Sequence, residues 1–80
     1  MKDPLVEQIE RTIAAASNAI AEQHRRIGRQ RARIEKLDRQ GCHEMAEHAR
    51  GVLKLMEDFL ERQRRELRDA ERRREARLAE

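Results

Sequence analysis

The residues that most suggest chemistry lie in one short segment, in which Cys42 and His43 precede Glu44, Glu47 and His48. Zinc hydrolases of the metalloprotease type place two histidines four residues apart on one helical face, with a glutamate beside the first. Here the two histidines are five residues apart and position 47 is a glutamate, so the spacing does not fit. The segment favours a polar turn and helix start over a zinc site, and we expect no metal and no cofactor.

Cys42 is the only cysteine in the chain, which excludes an intramolecular disulfide. A thiol near the start of a helix is more acidic than a free one, so a reactive thiol is one interpretation. The sequence offers it no base beyond His43 and suggests no substrate pocket, which favours a turn residue without chemistry. We therefore expect a protein that is not an enzyme and has no catalytic residue.

A second candidate site is the basic stretch from residue 24 to residue 40, which carries seven basic and two acidic residues. A basic helical face is typical of nucleic-acid-binding proteins. Phe59 is the only aromatic residue, so base stacking has little support. These residues favour a solvated face with helical ion pairs such as Glu22–Arg26, and phosphate binding is the alternative. The candidate phosphate-binding residues are Arg25, Arg29, Arg33 and Lys36.

Composition limits the class of protein. The chain has 80 residues, of which 44% are charged and 1% aromatic, so it has no large globular core. Its 19 basic and 16 acidic residues give a net charge of +3, a mixture that indicates ion-paired helices rather than a polycation. The longest uncharged stretch, residues 12–21, is about half the length of a membrane-spanning helix. With no signal-peptide pattern, we expect a soluble cytoplasmic protein.

The elements that carry these residues are predicted by apolar positions spaced alternately three and four residues apart, which is typical of a coiled-coil seam. In the first half of the chain these positions are Val6, Ile9, Ile13, Ala16, Ile20, Gln23, Ile27, Gln30, Ile34 and Leu37. In the second half they are Ala46, Ala49, Leu53, Met56, Leu60, Gln63, Leu67 and Ala70. The three glutamines are polar residues in an apolar seam, and we expect them to fix its register and the number of partners. The alternative is that they are partly exposed at the edge of a larger bundle.

The ends of the helices are marked by residues with known preferences. Asp3 is a good N-cap, and Pro4 suits the first helical position, where its missing N–H is not needed. Gly41 can adopt the left-handed conformation that ends a helix. We predict one helix over residues 4–39 and a second over residues 44–78, joined by a turn at about residues 40–43.

This arrangement predicts an all-α fold, a long antiparallel two-helix hairpin of the coiled-coil type that forms a single domain over residues 1–80. The connection is so short that the helices must run in opposite directions. Folding at Gly41 brings together residues whose numbers sum to about 83.

We also predict that the hairpin dimerises into a four-helix bundle. Met45, Val52 and Phe59 widen the apolar stripe of the second helix beyond the reach of one partner, and wide stripes are typical of bundles. The uncharged residues 12–21 lie opposite a highly charged stretch of the second helix. The predicted interface consists of Val6, Ile9, Ile13, Ala16, Ile20, Ile27, Ile34, Leu37, Met45, Val52, Leu53, Met56, Phe59, Leu60 and Leu67.

The central pattern resembles that of a group of short, uncharacterised alphaproteobacterial proteins. It reads Ile27-x-x-Gln30-x-x-x-Ile34-x-x-Leu37, then Gly41, then Ala49-x-x-x-Leu53 and Leu60. The resemblance covers about half of the chain and implies a helical hairpin of unknown function, without any activity to carry over. Cys42 and the arginine-rich C-terminal tail depart from the pattern.

Two functions from different classes follow. The leading hypothesis is a non-enzymatic protein–protein interaction or scaffold module whose partners are a second copy of itself or another protein. We expect no membrane partner. The alternative is a small basic protein that binds the phosphate backbone of nucleic acid weakly and without sequence specificity. Added salt separates them, because phosphate binding weakens steeply with salt whereas association through apolar surfaces does not.

Overall fold

The computed structural model describes residues 3–80, which form two long α-helices joined by a short turn. Helix α1 spans Pro4–Arg39 and helix α2 spans His43–Leu78, each with 36 residues. The two helices pack side by side along a body that measures 61 × 16 × 12 Å. The predicted all-helical hairpin is therefore confirmed. Helix α2 begins one residue before the position predicted from the sequence, since Cys42 is its N-cap.

The start of α1 is held by its capping residue. Asp3 has an extended backbone conformation, and its Oδ1 accepts a hydrogen bond of 2.9 Å from the backbone N–H of Leu5. Pro4 occupies the first turn, where its missing N–H removes no helical hydrogen bond. Glu7 lies in the same turn, where a negative charge interacts favourably with the helix dipole.

The turn depends on Gly41, whose φ of 76° lies in the left-handed region. The backbone N–H of Cys42 donates to the carbonyl of Leu37 at 2.9 Å, and the N–H of Gly41 donates to the carbonyl of Asp38 at 3.1 Å. These two bonds form a Schellman motif, which satisfies carbonyl groups that the end of α1 would leave free. The chain reverses direction immediately after it.

The core is a narrow seam between the helices, with large residues of α1 facing small residues of α2 near the turn. Ile34 and Leu37 pack with Ala46 and Ala49, and Leu53 contacts the same cluster. The two alanines are 0% and 4% exposed, so the helices approach closely at this point. Cys42 also packs against the cluster and is half-buried.

The register follows the predicted pairing. Side-chain contacts between α1 and α2 join residues whose numbers sum to between 79 and 88. At the open end, the Arg77 guanidinium donates to Asp3 Oδ2 at 2.7 Å. This hydrogen bond and the one from the Leu5 N–H lower the pKa of the Asp3 carboxyl. The same pair raises the pKa of Arg77, so both charges are stabilised in the folded chain.

Candidate interaction surface

One side of the hairpin is closed by polar contacts at three successive levels. Arg50 of α2 pairs with Asp38 of α1, and Arg31 of α1 pairs with Glu57 of α2 at 3.1 Å. One level further from the turn, the Arg64 guanidinium lies 3.3 Å from the His24 Nε2. On each helix these residues are seven apart, which keeps them on the same side. We call this side the ionic flank: His24, Arg31, Asp38, Arg50, Glu57 and Arg64.

The opposite side of α2 presents a row of exposed apolar side chains. Met45 is 54% exposed, Val52 36%, Leu55 69% and Phe59 44%. Their spacing of three, four and seven residues places them in one stripe along the helix. The Arg62 guanidinium lies over the Phe59 ring, 5.6 Å from its centroid. We call this stripe the apolar flank: Met45, Val52, Leu55 and Phe59.

A groove of about 440 Å³ runs between the helices beside the apolar flank. Met45 and Val52 line it from α2, whereas Arg33 and Gln30 line it from α1. Across this side, no ion pair joins the two helices within residues 3–80. The two sides of the hairpin are therefore unequal: one is sealed by polar contacts, and the other has an open apolar edge next to basic residues.

The structure divides the predicted interface residues into three groups. Buried between α1 and α2 are Val6, Ile27, Ile34, Leu37 and Leu60. Half-buried along the same seam are Ile9, Ile13, Ala16, Ile20, Leu53, Met56 and Leu67. Exposed on the apolar flank are Met45, Val52 and Phe59. The first two groups hold the hairpin together, so only the third presents an apolar surface to another chain.

Leu55 belongs to the apolar flank but was not among the residues predicted for an interface. It lies three residues after Val52 and four before Phe59. That spacing places Leu55 on the same helical face as Val52 and Phe59. The helical spacing of three and four residues was therefore enough to predict its position. Leu55 has the largest exposed fraction in the apolar flank, so it adds the most apolar surface to it.

Two of the three seam glutamines bind the opposite helix. Gln23 is 5% exposed, and its Nε2 donates to the backbone carbonyl of Met56 at 3.1 Å. The Nε2 of Gln30 donates to the carbonyl of Ala49 at 2.9 Å. Both bonds become impossible if α2 slides by a residue, so they oppose slippage. In contrast, Gln63 Oε1 is buried without a hydrogen-bond partner.

The basic stretch is partly neutralised by one carboxylate. Arg25 donates to Glu22 Oε2 at 2.8 Å, while Arg26 and Arg29 approach Oε1 at 3.5 and 3.6 Å. The hydrogen bond from Arg25 lowers the pKa of Glu22, and the positive charges of the three arginines add to this effect.

The four residues predicted to bind phosphate thus differ in their surroundings. Arg25 and Arg29 share Glu22 as a partner. Arg33 and Lys36 have no acidic partner among the residues that the structure describes. All four lie within one face of α1, since their spacing of three and four residues keeps them aligned. This face borders the groove through Arg33.

The polar side chains of the segment from Cys42 to His48 have separate surroundings in the structure. His43 Nδ1 is 4.0 Å from Asp38 Oδ1, and Glu47 pairs with Arg50 at 3.1 Å. His48 lines the groove beside the apolar flank. Over residues 3–80, no three side chains of histidine, cysteine, aspartate or glutamate come together in an arrangement that holds a metal ion.

The fold and this surface define a two-helix hairpin with one ionic and one apolar flank. In the part of the chain that the structure describes, neither helix has a segment long and apolar enough to span a membrane. Comparisons with protein-family models, with curated proteins and with solved structures find no match. The resemblance to the alphaproteobacterial group therefore stays a prediction.

Proposed function

We propose that the chain is a non-enzymatic protein–protein interaction or scaffold module that self-associates through its apolar flank into a homodimeric four-helix bundle. The observation that supports this proposal is the contrast between the two sides of the hairpin. The ionic flank is closed by polar contacts between the helices, whereas Met45, Val52, Leu55 and Phe59 remain exposed together. A clustered apolar stripe, unlike scattered single residues, is typical of a surface that another chain covers.

The energetics favour covering this stripe. Complete burial of one large apolar side chain contributes about 1.5–3 kcal/mol, so burying the exposed parts of four contributes several kcal/mol. A chain of this size is stable by only a few kcal/mol, which makes the gain a large fraction of the total. A second copy of the same hairpin provides an equal stripe, and twofold pairing is the commonest closed arrangement.

On α1, the same side of the hairpin carries small residues further from the turn. Ala15 and Ala19 are exposed, and they fall on the helical face that carries Arg26 and Arg33. Small side chains let a neighbouring helix approach closely, so this part of α1 leaves room for a second hairpin.

Sedimentation of Val52→Glu tests the proposal. The wild type is expected to sediment as a dimer at micromolar concentration, whereas Val52→Glu is expected to sediment as a folded monomer, because it places a charge in the interface. The matched control is Gly51→Glu, which adds the same charge one residue away. A side chain at position 51 meets no atom of the hairpin within 4 Å, and position 51 is not part of the apolar flank, so this variant is expected to fold and to remain a dimer.

A monomeric, cooperatively folded wild type would contradict self-association. Equal effects of the two substitutions would also contradict it, because the added charge alone would then explain the loss. Circular dichroism separates dissociation from unfolding, since the dissociated hairpin keeps its two helices.

A second candidate function is weak, sequence-independent binding to nucleic-acid phosphates. The specific observation in its favour is that Arg33 and Lys36 have no acidic partner in the described part of the chain. Reversing Arg25, Arg29 and Lys36 to glutamate is expected to abolish such binding while circular dichroism stays unchanged. Binding is expected to fall steeply with added salt. Tight binding to one sequence at physiological salt would contradict this candidate.

A further inference from the structure

We infer that Glu22 competes with the phosphates of double-stranded nucleic acid for a row of basic side chains on α1. The row contains five exposed residues, which we call the basic strip: Arg25, Arg26, Arg29, Arg33 and Lys36. The inference rests on the second candidate function proposed above. It adds the form of nucleic acid that the strip fits and the residue that limits its binding.

The middle of the basic strip lies on the side of α1 that faces away from α2. Ile27 and Ile34 are buried in the seam, and two residues of an α-helix correspond to a rotation of about 200°. Arg25, Arg29 and Lys36 are each two residues from one of these isoleucines, so they lie opposite the seam. A partner can therefore reach these three side chains without separating the two helices.

Glu22 holds three arginines of the basic strip. Its Oε2 accepts two hydrogen bonds from Arg25, at 3.0 Å from Nε and 2.8 Å from Nη2. Its Oε1 lies 3.5 Å from Arg26 and 3.6 Å from Arg29. The hydrogen bond from Arg25 is the main cause of the lowered pKa of Glu22, so this carboxylate remains charged at neutral pH. Phosphate oxygens bind the same guanidinium N–H groups, so Glu22 and a phosphate compete for them.

The basic strip keeps an excess of positive charge beyond this contact. Arg33 and Lys36 are exposed and form no ion pair in the described part of the chain. The other carboxylates nearby bind elsewhere, because Glu35 pairs with Arg39 at 3.9 Å and Asp38 belongs to the ionic flank. Like charges three and four residues apart on a helix repel one another. A polyanion that covers the strip relieves this repulsion.

The length and composition of the basic strip favour the backbone of a double helix. The strip extends about 16 Å along α1 from Arg25 to Lys36. Over that length a DNA duplex carries about ten negative charges, and a single strand carries about half as many. The exposed uncharged residues of α1 within this length are Gly28 and Ala32, which provide no apolar anchor for a peptide helix or a membrane. Their small size lets a phosphate backbone approach the helix closely.

Glu22→Gln tests the competition, and Glu35→Gln is the matched control. Both substitutions remove one negative charge from α1, but Glu35 pairs with Arg39, which lies outside the basic strip. Binding to a fluorescently labelled DNA duplex of about 20 base pairs is measured by anisotropy at salt concentrations from roughly 50 to 200 mM. At the lowest salt, Glu22→Gln is expected to bind roughly threefold to tenfold more tightly than wild type, and Glu35→Gln less than about twofold more tightly.

The salt dependence provides a second measurement on the same variants. The logarithm of the association constant falls linearly with the logarithm of the salt concentration, with a slope of about −0.9 for each phosphate neutralised. Glu22→Gln is expected to steepen this slope by about 0.9, because its arginines neutralise one more phosphate. Glu22→Ala, which also preserves helix formation, is expected to give the same tighter binding and the same slope.

The form of the polyanion is tested with wild-type protein. The duplex is expected to bind more tightly than a single strand of the same length, because its charge density is about twice as high. Equal or tighter binding to the single strand would overturn the assignment to a double helix. Equal or tighter binding to vesicles made from equal parts of phosphatidylcholine and phosphatidylserine would also overturn it.

The outcomes distinguish the role of Glu22 from phosphate binding itself. Equal effects of Glu22→Gln and Glu35→Gln, with unchanged circular dichroism, would overturn the competition and leave phosphate binding standing. Wild type and Glu22→Gln that both fail to bind the duplex at roughly 50 mM salt would overturn the second candidate function together with this inference.

Discussion

The half of the hairpin next to the turn has more buried residues than the half that contains the two chain ends, which we call the open half. Of the nine buried residues in the described chain, seven lie between residues 23 and 60, and only Val6 and Ala70 lie further from the turn. The hydrogen bonds from Gln23 and Gln30 to the opposite backbone are also in the half next to the turn. The half further from the turn has mostly half-buried seam residues, and at its end Arg77 pairs with Asp3.

The difference indicates that stability decreases from the turn toward the ends. Near the turn, contacts form between residues close in sequence, so little chain entropy is lost in closing the loop. Further out, the uncharged residues 12–21 of α1 face a largely charged part of α2, and Gln63 leaves a buried oxygen unpaired. Half-buried apolar residues there gain less from the fold. The two halves thus contribute unequally to one cooperative structure.

The largest expected effect comes from the same substitution made in each half. Leu37→Ala removes a buried side chain from the cluster at the turn and is expected to lower the free energy of unfolding by about 2–4 kcal/mol. Leu67→Ala, at a half-buried position in the open half, is expected to cost about 1 kcal/mol. Urea denaturation followed by circular dichroism at a fixed protein concentration measures both. Equal losses would contradict the difference between the halves.

A smaller effect of opposite sign is expected at Gln63. Gln63→Leu removes the unpaired buried oxygen and adds an apolar side chain to the seam, so it is expected to raise the free energy of unfolding by about 1 kcal/mol. Gln23→Leu is the control, because Gln23 donates a hydrogen bond to the carbonyl of Met56. Losing that hydrogen bond offsets the gain from the added apolar side chain. Thermal melts compare the two variants. A gain at position 23 equal to that at position 63 would show that the unpaired oxygen is irrelevant.

The smallest effect is expected at the open end. Asp3→Asn keeps a capping oxygen for the Leu5 N–H but removes the charge that pairs with Arg77, and is expected to lower Tm by a few degrees at pH 7. The pKa of Asp3 is lowered from its usual 3.8, chiefly by the hydrogen bond from Arg77. Its stabilising effect is therefore complete above about pH 4 and is lost as pH falls through the lower folded pKa.

Thermal melts of wild type and Asp3→Asn at a series of pH values check this prediction. The difference in Tm is expected to stay constant from pH 7 to about pH 4 and to shrink in more acidic solution. Arg77→Gln is expected to reproduce the difference at neutral pH. A Tm difference that is independent of pH throughout would contradict a role for the Asp3 charge.

The sequence by itself determined the two helices and their antiparallel packing. Seam positions recur every three and four residues, Asp3 and Pro4 mark the start, and Gly41 is followed by no second break until the end of the chain. These are local signals, because helix periodicity, capping and a left-handed glycine depend on a few neighbouring residues. For the same reason, the spacing of Leu55 from Val52 and Phe59 was enough to predict that it lies on the apolar flank.

Only the tertiary structure decided which side of the hairpin is sealed and which is open. Arg31 meets Glu57, and Arg77 meets Asp3, across long stretches of sequence. Gln23 donates to a backbone carbonyl of the opposite helix, whereas the Oε1 of Gln63 has no hydrogen-bond partner. This difference depends on how the two helices are aligned along their axes, to within one residue. Such contacts depend on the register and on side-chain reach, and neither quantity is specified until both helices are in place.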